Sequence, residues 1–476
     1  MTQTVGDRVD ALRAAMSGKV LVPGDGDYDD ARRLWNAAID LHPAVIARCA
    51  SAADVAAAVG FTVAEGLPVA VRGGAHGVSG KASVDNGMMI DLSPMNSVVV
   101  DAEARRAHVG GGALLGDLMG AAQEHGLATS VGMVGHTGVG GLTLGGGMGW
   151  LTRKHGLSID NVVSAEVVTA DSRILRASAD ENPDLYWAIR GAGGNFGVVT
   201  EFEFALHPAG PMIQAGLMFW SLDQGKDYFR LAREICATLP PEINIIVGGI
   251  SAPMAPFVPP EHQGQPGYVA VIAGFGPPEQ HEDVVRRFRE GLTPLWEFVD
   301  VMPFMALQTM LDEDNAWGQY DYEKGGVLDE LTDEVIDVFT DHFPRKQSPG
   351  SVVLMYRLDG AFCDVPDDAT AFAGTREACY NFFTVAVWPN MEVLEADRAW
   401  ARGIHSALKP HLVARTYINA LGEEDDADVV ATFGAEKYAR LSTIKAKYDP
   451  DNVFRRNANI KPGVPAQRAG QEGAES

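Results

Sequence analysis

The sequence predicts an α+β protein built from two domains, and three observations lead there. At 476 residues the chain is too long for one ordinary core. Up to about residue 210, short apolar strands alternate with amphipathic helices. Beyond that point the texture changes to long β-rich runs separated by helices, the pattern of an antiparallel sheet covered on one face.

The elements follow in order. DYDDARRLWNAAID carries acids in its first turn and apolar residues on one side, so it reads as a helix start. Its DGDYDD fails as a calcium loop, with Asp30 at the sixth position and Asn36 at the twelfth. SAADVAAAVGFTVAEG is a capped helix, and LPVAVRGGAHG is a buried strand running into a glycine turn. GMMIDLS, SVVVD, AEVVTAD, ILRAS and GVVTEFEFALHP are further strands. In the second part MIQAGLMFWSL, INIIVGGI, GYVAVIAGFG, SVVLMYRL and YNFFTVAVW are strands, while HEDVVRRFREGL and VLDELTDEVIDVFTDHF are helices. The last helix, in FGAEKYARLSTIKAKYDPDNVF, stops at Asp449-Pro450. A small, polar tail follows Pro462.

Composition narrows the function. Hydrophobic residues make up 46% and charged residues 21%, the balance of a globular protein. No apolar run reaches the roughly 18 residues of a membrane span, and the first twenty residues read as a helix rather than a leader, so no membrane is expected and a cytoplasmic place is. A net charge of −25 argues against nucleic acid and means that an anionic cofactor must be held by local backbone N–H groups and a few placed cations. Four scattered cysteines, Cys49, Cys236, Cys363 and Cys379, have neither metal nor disulfide spacing and read as reduced thiols.

Four segments stand out. Arg72-Gly73-Gly74-Ala75-His76-Gly77 ends a strand; its paired glycines allow close approach to a diphosphate, with Arg72 adding a charge. Alone it is first a tight turn with an incidental histidine. Residues 132–149 hold so many glycines that neither a stable helix nor an interior strand is expected, and a ligand against bare backbone would explain them. A nucleotide-binding GxGxxG is the rival, with Glu166 at a tempting distance, but no such triplet falls between a strand and a helix. Residues 181–200 read as turn, short helix, glycine loop and strand, and residues 448–462 as a helix stop.

Together, in this order, the R-G-G-x-H, G-x-G-G-x-x-x-G-G-G-x-G, N-P-D-L-x-W-A-x-R-G-x-G-G-N-F-G and Y-D-P-x-N-x-F motifs resemble the berberine-bridge-enzyme-like branch of the vanillyl-alcohol-oxidase (PCMH-type) flavoproteins. The resemblance runs from about Tyr28 to Pro462. It implies a PCMH-type two-part FAD-binding domain in residues 1–210, an inserted antiparallel-sheet-plus-helices substrate domain in residues 211–415, a C-terminal segment in residues 416–462 that returns to the FAD-binding domain, and a flexible tail in residues 463–476.

The resemblance also implies roles. FAD is attached through His76, with Arg72, Gly73, Gly74, Ala75 and Gly77 around the diphosphate. Thr137, Gly138, Gly140, Gly141, Gly145 and Gly147, with Asn195, Gly197 and Val199, line the adenosine and flavin; Asn457 and Asn459 lie close by. The second attachment found in many relatives needs a cysteine where this chain has Val134, so a single link to His76 is expected. Val78 and Met148 replace aromatic residues, which makes the pocket less polar and weakens the case for a sugar. The reaction implied is hydride transfer from a small organic substrate (alcohol, sugar, phenolic or secondary metabolite) to flavin, with molecular oxygen reoxidising it to give hydrogen peroxide. Thr137, at the position that guards the flavin edge, is small enough to admit oxygen. Phe383 stands where a basic carboxylate or amide is often found, and Asn381 on the same face is no base, which leaves Tyr417 as the candidate, its pKa lowered by a cation such as Arg376. Tyr320 and Tyr322 face either the cavity or solvent. A flavin dehydrogenase with another acceptor, an NAD-linked dehydrogenase and a non-catalytic flavin-binding protein are the alternatives.

Overall fold

The computed structural model describes residues 5–388, 390, 394–420, 422 and 426–463, and three larger sheets organise them. The first has four strands in the order Lys19–Leu21, Val45–Arg48, Met88–Asp91 and Val69–Arg72. Its last three are parallel because the helix Ala52–Glu65 carries the chain back across the sheet between Val45–Arg48 and Val69–Arg72. Ser51 caps that helix by accepting the Asp54 N–H at 3.2 Å. The second sheet is antiparallel, in the order Val98–Asp101, Arg106–Gly110, Val198–Ala205, Val162–Val168 and Ile174–Ser178. Ile90 and Leu92 from the first sheet share a buried cluster with Val168 and Val198 from the second, which joins the two.

The third sheet has seven antiparallel strands, in the order Trp296–Pro303, Met212–Trp220, Pro266–Gly274, Ile243–Ser251, Val352–Leu358, Cys379–Trp388 and Tyr320–Leu328. Strand alternation divides its side chains. Trp220, Tyr268, Tyr322, Tyr380 and Phe382 pack under the outer helices Gly225–Cys236, Pro278–Gly291, Asp333–His342 and Leu394–Leu408. Ile213, Ala215, Ile246 and Ala273 point the other way, into one core with Trp150, Ile189 and Phe202 of the N-terminal half. The helix Ala435–Tyr448 joins this same core through Leu441 and Ile444.

Three readings need correction. Val139–Gly145, inside the glycine stretch, is a short helix. Tertiary contact overrides its poor propensity: Val139 N–H donates to Ala113 O at 2.9 Å, and Gly140 lies against Gly111 O. The first acidic helix covers only Tyr28–Arg32, so Trp35 and Asn36 fall outside it. The strands Trp296–Pro303 and Tyr320–Leu328 went unseen because both are sheet edges, where charges such as Glu297, Asp300 and Lys324 break the apolar run; the second takes Val327 and Leu328 from the predicted helix, which spans only Asp333–His342. Residues 464–476, most of the expected tail, lie outside the described residues, and among the described ones no helix is long and apolar enough to cross a membrane.

Candidate active site

His76 leaves the end of Val69–Arg72 in a turn whose Ala75 has φ of +54°, an unusual value for a residue with a side chain. That turn is fixed by Trp35, whose N–H donates to Ala75 O at 3.1 Å. The Trp35 ring stacks on His76 with centroids 4.2 Å apart. On the other side His76 Nε2 lies 3.0 Å from His136 Nδ1, and His136 Nε2 lies 3.3 Å from the Asp312 carbonyl. A carbonyl only accepts, so His136 Nε2–H is the donor of that contact and its Nδ1 is left to accept from His76 Nε2–H. With that assignment His76 Nδ1 carries no proton. Burial, with the nearby His136, pushes the His76 pKa down to about 3, so the ring is neutral at physiological pH.

The His76 turn meets the glycine stretch backbone to backbone. A Cβ on Gly74 would lie 2.3 Å from Gly138 N, and one on Gly138 2.2 Å from Gly74 N, so only glycine permits this approach. Thr137 sits half-buried at the same contact, its carbonyl accepting Leu115 N–H at 2.9 Å. Gly145 packs on the Asn419 side chain, and Gly141 and Gly77 face open space. Gly197 and Val199 begin the strand that passes Gly111. The Arg72 guanidinium is turned away from the glycines: it donates to Ala31 O, lies 3.9 Å from Asp91 and sits 6.0 Å from the Trp317 ring centroid.

Tyr417 also enters the site, but not as a base with a lowered pKa. Its oxygen accepts from Gly147 N at 3.1 Å and Asn419 Nδ2 at 2.8 Å, yet burial outweighs both and pushes the phenol up to about 12. Arg376 does not act on it: that guanidinium makes two 2.8 Å bonds to Asp160. The Tyr417 hydroxyl instead holds the turn in which Gly147 has φ of +77°. The Asn195 amide is spent on structure, donating to Ala192 O and Ala458 O and accepting Ile460 N–H, which ties the second glycine loop to the C-terminal motif. Lys445 reinforces that tie through Asn195 O, Phe454 O and Asp449.

Several site residues escaped the sequence reading. Trp35, His136 and Asp312 carry no motif of their own. Asp321 and Glu323 were hidden in an edge strand, alternating with Tyr320 and Tyr322. That strand starts at the His76 turn, where Asn36 Nδ2 donates to both Val78 O and Asp321 O at 2.9 Å. It ends at Val327, which lines a small cavity with Met148, Asn381 and Tyr417. In between, Asp321 and Glu323 share the inner face with Asn381 and Phe383, opposite to Tyr322. Burial pushes Asp321 up to about 7; burial and the neighbouring Asp321 push Glu323 up to about 8.

A flavin dinucleotide needs a close backbone approach and polar atoms not yet spent. Gly77 and Gly141, which face open space, supply the first, and buried Thr143 Oγ1, Asn381 Nδ2, Asn457 Oδ1 and Asn459 Oδ1, which have no hydrogen-bond partner, supply the second. The residues fit the cofactor.

Comparison with known proteins agrees. Residues 43–178 match the family described as FAD binding domain, and residues 416–461 the one described as berberine and berberine-like. An FAD-linked oxidoreductase of Dictyostelium discoideum is 30% identical over 94% of this chain and 95% of its own length. (R)-6-hydroxynicotine oxidase of Paenarthrobacter nicotinovorans is 31% identical over 95% of this chain and 98% of its own. The crystal structure of 6-hydroxy-D-nicotine oxidase from Arthrobacter nicotinovorans superposes with a TM-score of 0.83 at 27% identity, covering 94% of this chain and 98% of that one.

Proposed function

The chain belongs to the FAD-linked oxidoreductases with a berberine-like C-terminal segment, and on that premise we propose that it is an oxidase carrying FAD on a single covalent bond to His76. The observation that carries this reading is the His76 ring held between Trp35 and His136 beside the Gly74–Gly138 contact, an arrangement from which we assign its proton to Nε2 and leave Nδ1 to react. Histidine nitrogen is a nucleophile only with its lone pair free, and the His136–Asp312 pair keeps it so.

One bond is expected. Val134 offers no thiol, and burial pushes Cys236 up to about 11 and Cys379 to about 12, so neither is poised to attack a flavin. The domain boundaries read from the sequence, at residues 210 and 415, remain our assignment. It carries one adjustment: Asp368, Ala369 and Phe372 of the central part bond to Trp187, Arg190 and Lys437, so this loop serves the FAD half.

Bound FAD supplies the two-electron acceptor. The protein's part is to orient and to move protons. Arg72 through Gly77 and the 137–147 segment would present backbone to the cofactor, and the unpartnered Asn457 and Asn459 oxygens would accept from it. The seven-stranded sheet covers the site with Tyr356, Asn381, Phe383 and Glu323 facing inward. Glu323, with a pKa of about 8, is the general base that takes the proton as hydride leaves a small organic substrate. Tyr417 positions the glycine turn. Thr137 keeps the path open for oxygen, which ends as hydrogen peroxide.

The test is spectroscopic. Purified protein is expected to be yellow, to lose its flavin band anaerobically with substrate, and to regain it in air with one peroxide per turnover. A colourless protein active with nicotinamide would contradict the flavin reading, and a flavin that stays reduced in air would favour a dehydrogenase.

A further inference from the structure

The inner face of the sheet holds two carboxyl groups with no cation. Asp321 is 5% exposed and its Oδ2 is buried without a partner. Glu323, two residues along the same face, makes no hydrogen bond or ion pair among the described residues. The cations nearest in sequence are spent on the outer face: Lys324 lies over the Tyr322 ring, and Arg398 and Arg402 sit on it too. Around the two acids stand aromatic side chains. Tyr356 meets Phe383 edge to face at 5.6 Å, and burial first, with Glu323 nearby as a lesser cause, raises both the Tyr356 and the Tyr417 phenol. Asn381, 1% exposed with Nδ2 unpartnered, completes the wall.

An unpaired carboxyl as buried as Asp321 is costly, and half-buried Glu323 beside it adds to that cost, so a cationic partner would relieve both. An arriving organic ammonium favours the ionised form of these acids, so it is attracted twice over, by the ion pairs it forms with them and by cation–π contact with the ring faces. A neutral sugar offers these acids no opposite charge. The surroundings point the same way, with Asp312, Glu313 and Asp314 in the loop beside His136 and a net charge of −25 that draws cations inward.

We propose that the substrate of this site is an organic amine, recognised as its ammonium ion by Asp321 and Glu323 on the inner face of the Tyr320–Leu328 strand. The inference rests on the flavin reading above. Glu323 takes the N–H proton, and the freed nitrogen lone pair forms a C=N bond as the adjoining C–H breaks. That hydrogen leaves with both bonding electrons to the flavin, and oxygen then takes the two electrons and two protons as hydrogen peroxide. The iminium product is hydrolysed by water to a carbonyl compound and the smaller amine.

The experiment uses the FAD-loaded protein and two probes of equal shape, N-methylbenzylamine and benzyl methyl ether, titrated anaerobically while the flavin spectrum is followed. The first spectrum establishes that flavin is bound, so a colourless sample is a failure of the flavin reading and is recognised before any probe is added. With flavin present, the amine is expected to perturb or bleach the band at a concentration at least tenfold below the ether. The Asp321→Asn, Glu323→Gln double variant should load flavin normally and lose that preference. Equal response to both probes, no response to the amine, or a preference that survives the double substitution overturns the proposal.

Discussion

His76 Nε2 donates to His136 Nδ1 across 3.0 Å, and His136 in turn is fixed by the Asp312 carbonyl, so the tautomer of the first ring is set by the backbone of a loop more than two hundred residues away. This chain of donors makes the attachment site a product of tertiary structure. It also makes His136 a positioning residue with its own signature.

Substituting His136→Ala should leave FAD bound but slow its attachment by on the order of tenfold or more, because the His76 proton is then free to occupy either ring nitrogen. The check is the fraction of flavin that stays in an acid-precipitated pellet as a function of time after adding FAD to apoprotein. Attachment at the wild-type rate would mean that His136 only packs against His76.

Thr137→Leu should slow reoxidation at least tenfold without releasing flavin. Dithionite-reduced protein mixed with aerated buffer measures this directly and needs no substrate. Unchanged reoxidation would place the oxygen path elsewhere than the Thr137–Gly138 contact.

The proton acceptor separates two residues. Glu323→Gln should lower the rate of flavin reduction by on the order of 100-fold or more, the usual scale for losing acid–base help. Tyr417→Phe should cost less than tenfold, since a phenol pushed up to about 12 holds its proton at neutral pH. In wild type, kcat/KM should climb as pH rises towards about 8 and the Glu323 carboxylate forms. A flat profile in the range pH 6 to 9 would contradict this assignment.

The same carboxyl affects stability, with a definite sign. Its pKa is about 8 folded against 4.5 as the reference, so the folded state holds a proton that the unfolded chain has released. The stabilisation this gives is complete below about pH 4 and is lost as pH rises through about 8, falling by roughly 1.4 kcal/mol for each pH step between the two values. Glu323→Gln should therefore raise Tm relative to wild type at pH 8 by several degrees and hardly at all at pH 4.5. A difference independent of pH would mean that the carboxyl is not held protonated in the fold.

Much of the architecture was legible because apolar periodicity and glycine clustering are local. The helix Ala52–Glu65 and the strands Met212–Trp220, Ile243–Ser251 and Cys379–Trp388 lie where the patterns put them. The edge strand Tyr320–Leu328 was not legible, since pairing on one side alone tolerates Asp321, Glu323 and Lys324 in succession. Of the site, His76 and the glycines could be read from their motif, whereas His136, Trp35 and Asp312 matter only through contacts made across the fold. Arg376 shows the opposite error: it is four residues before Tyr380 in sequence, but its charge is consumed by Asp160.

The central claim is tested most directly by mass spectrometry of the tryptic peptide that contains His76, taken from acid-precipitated, FAD-loaded protein. The account predicts a yellow pellet, the flavin mass on that peptide at the His76 ring, none on any cysteine peptide, and a colourless pellet from His76→Ala that still binds FAD before acid. A wild-type pellet without colour and an unmodified His76 peptide, from protein shown to hold FAD beforehand, would contradict it.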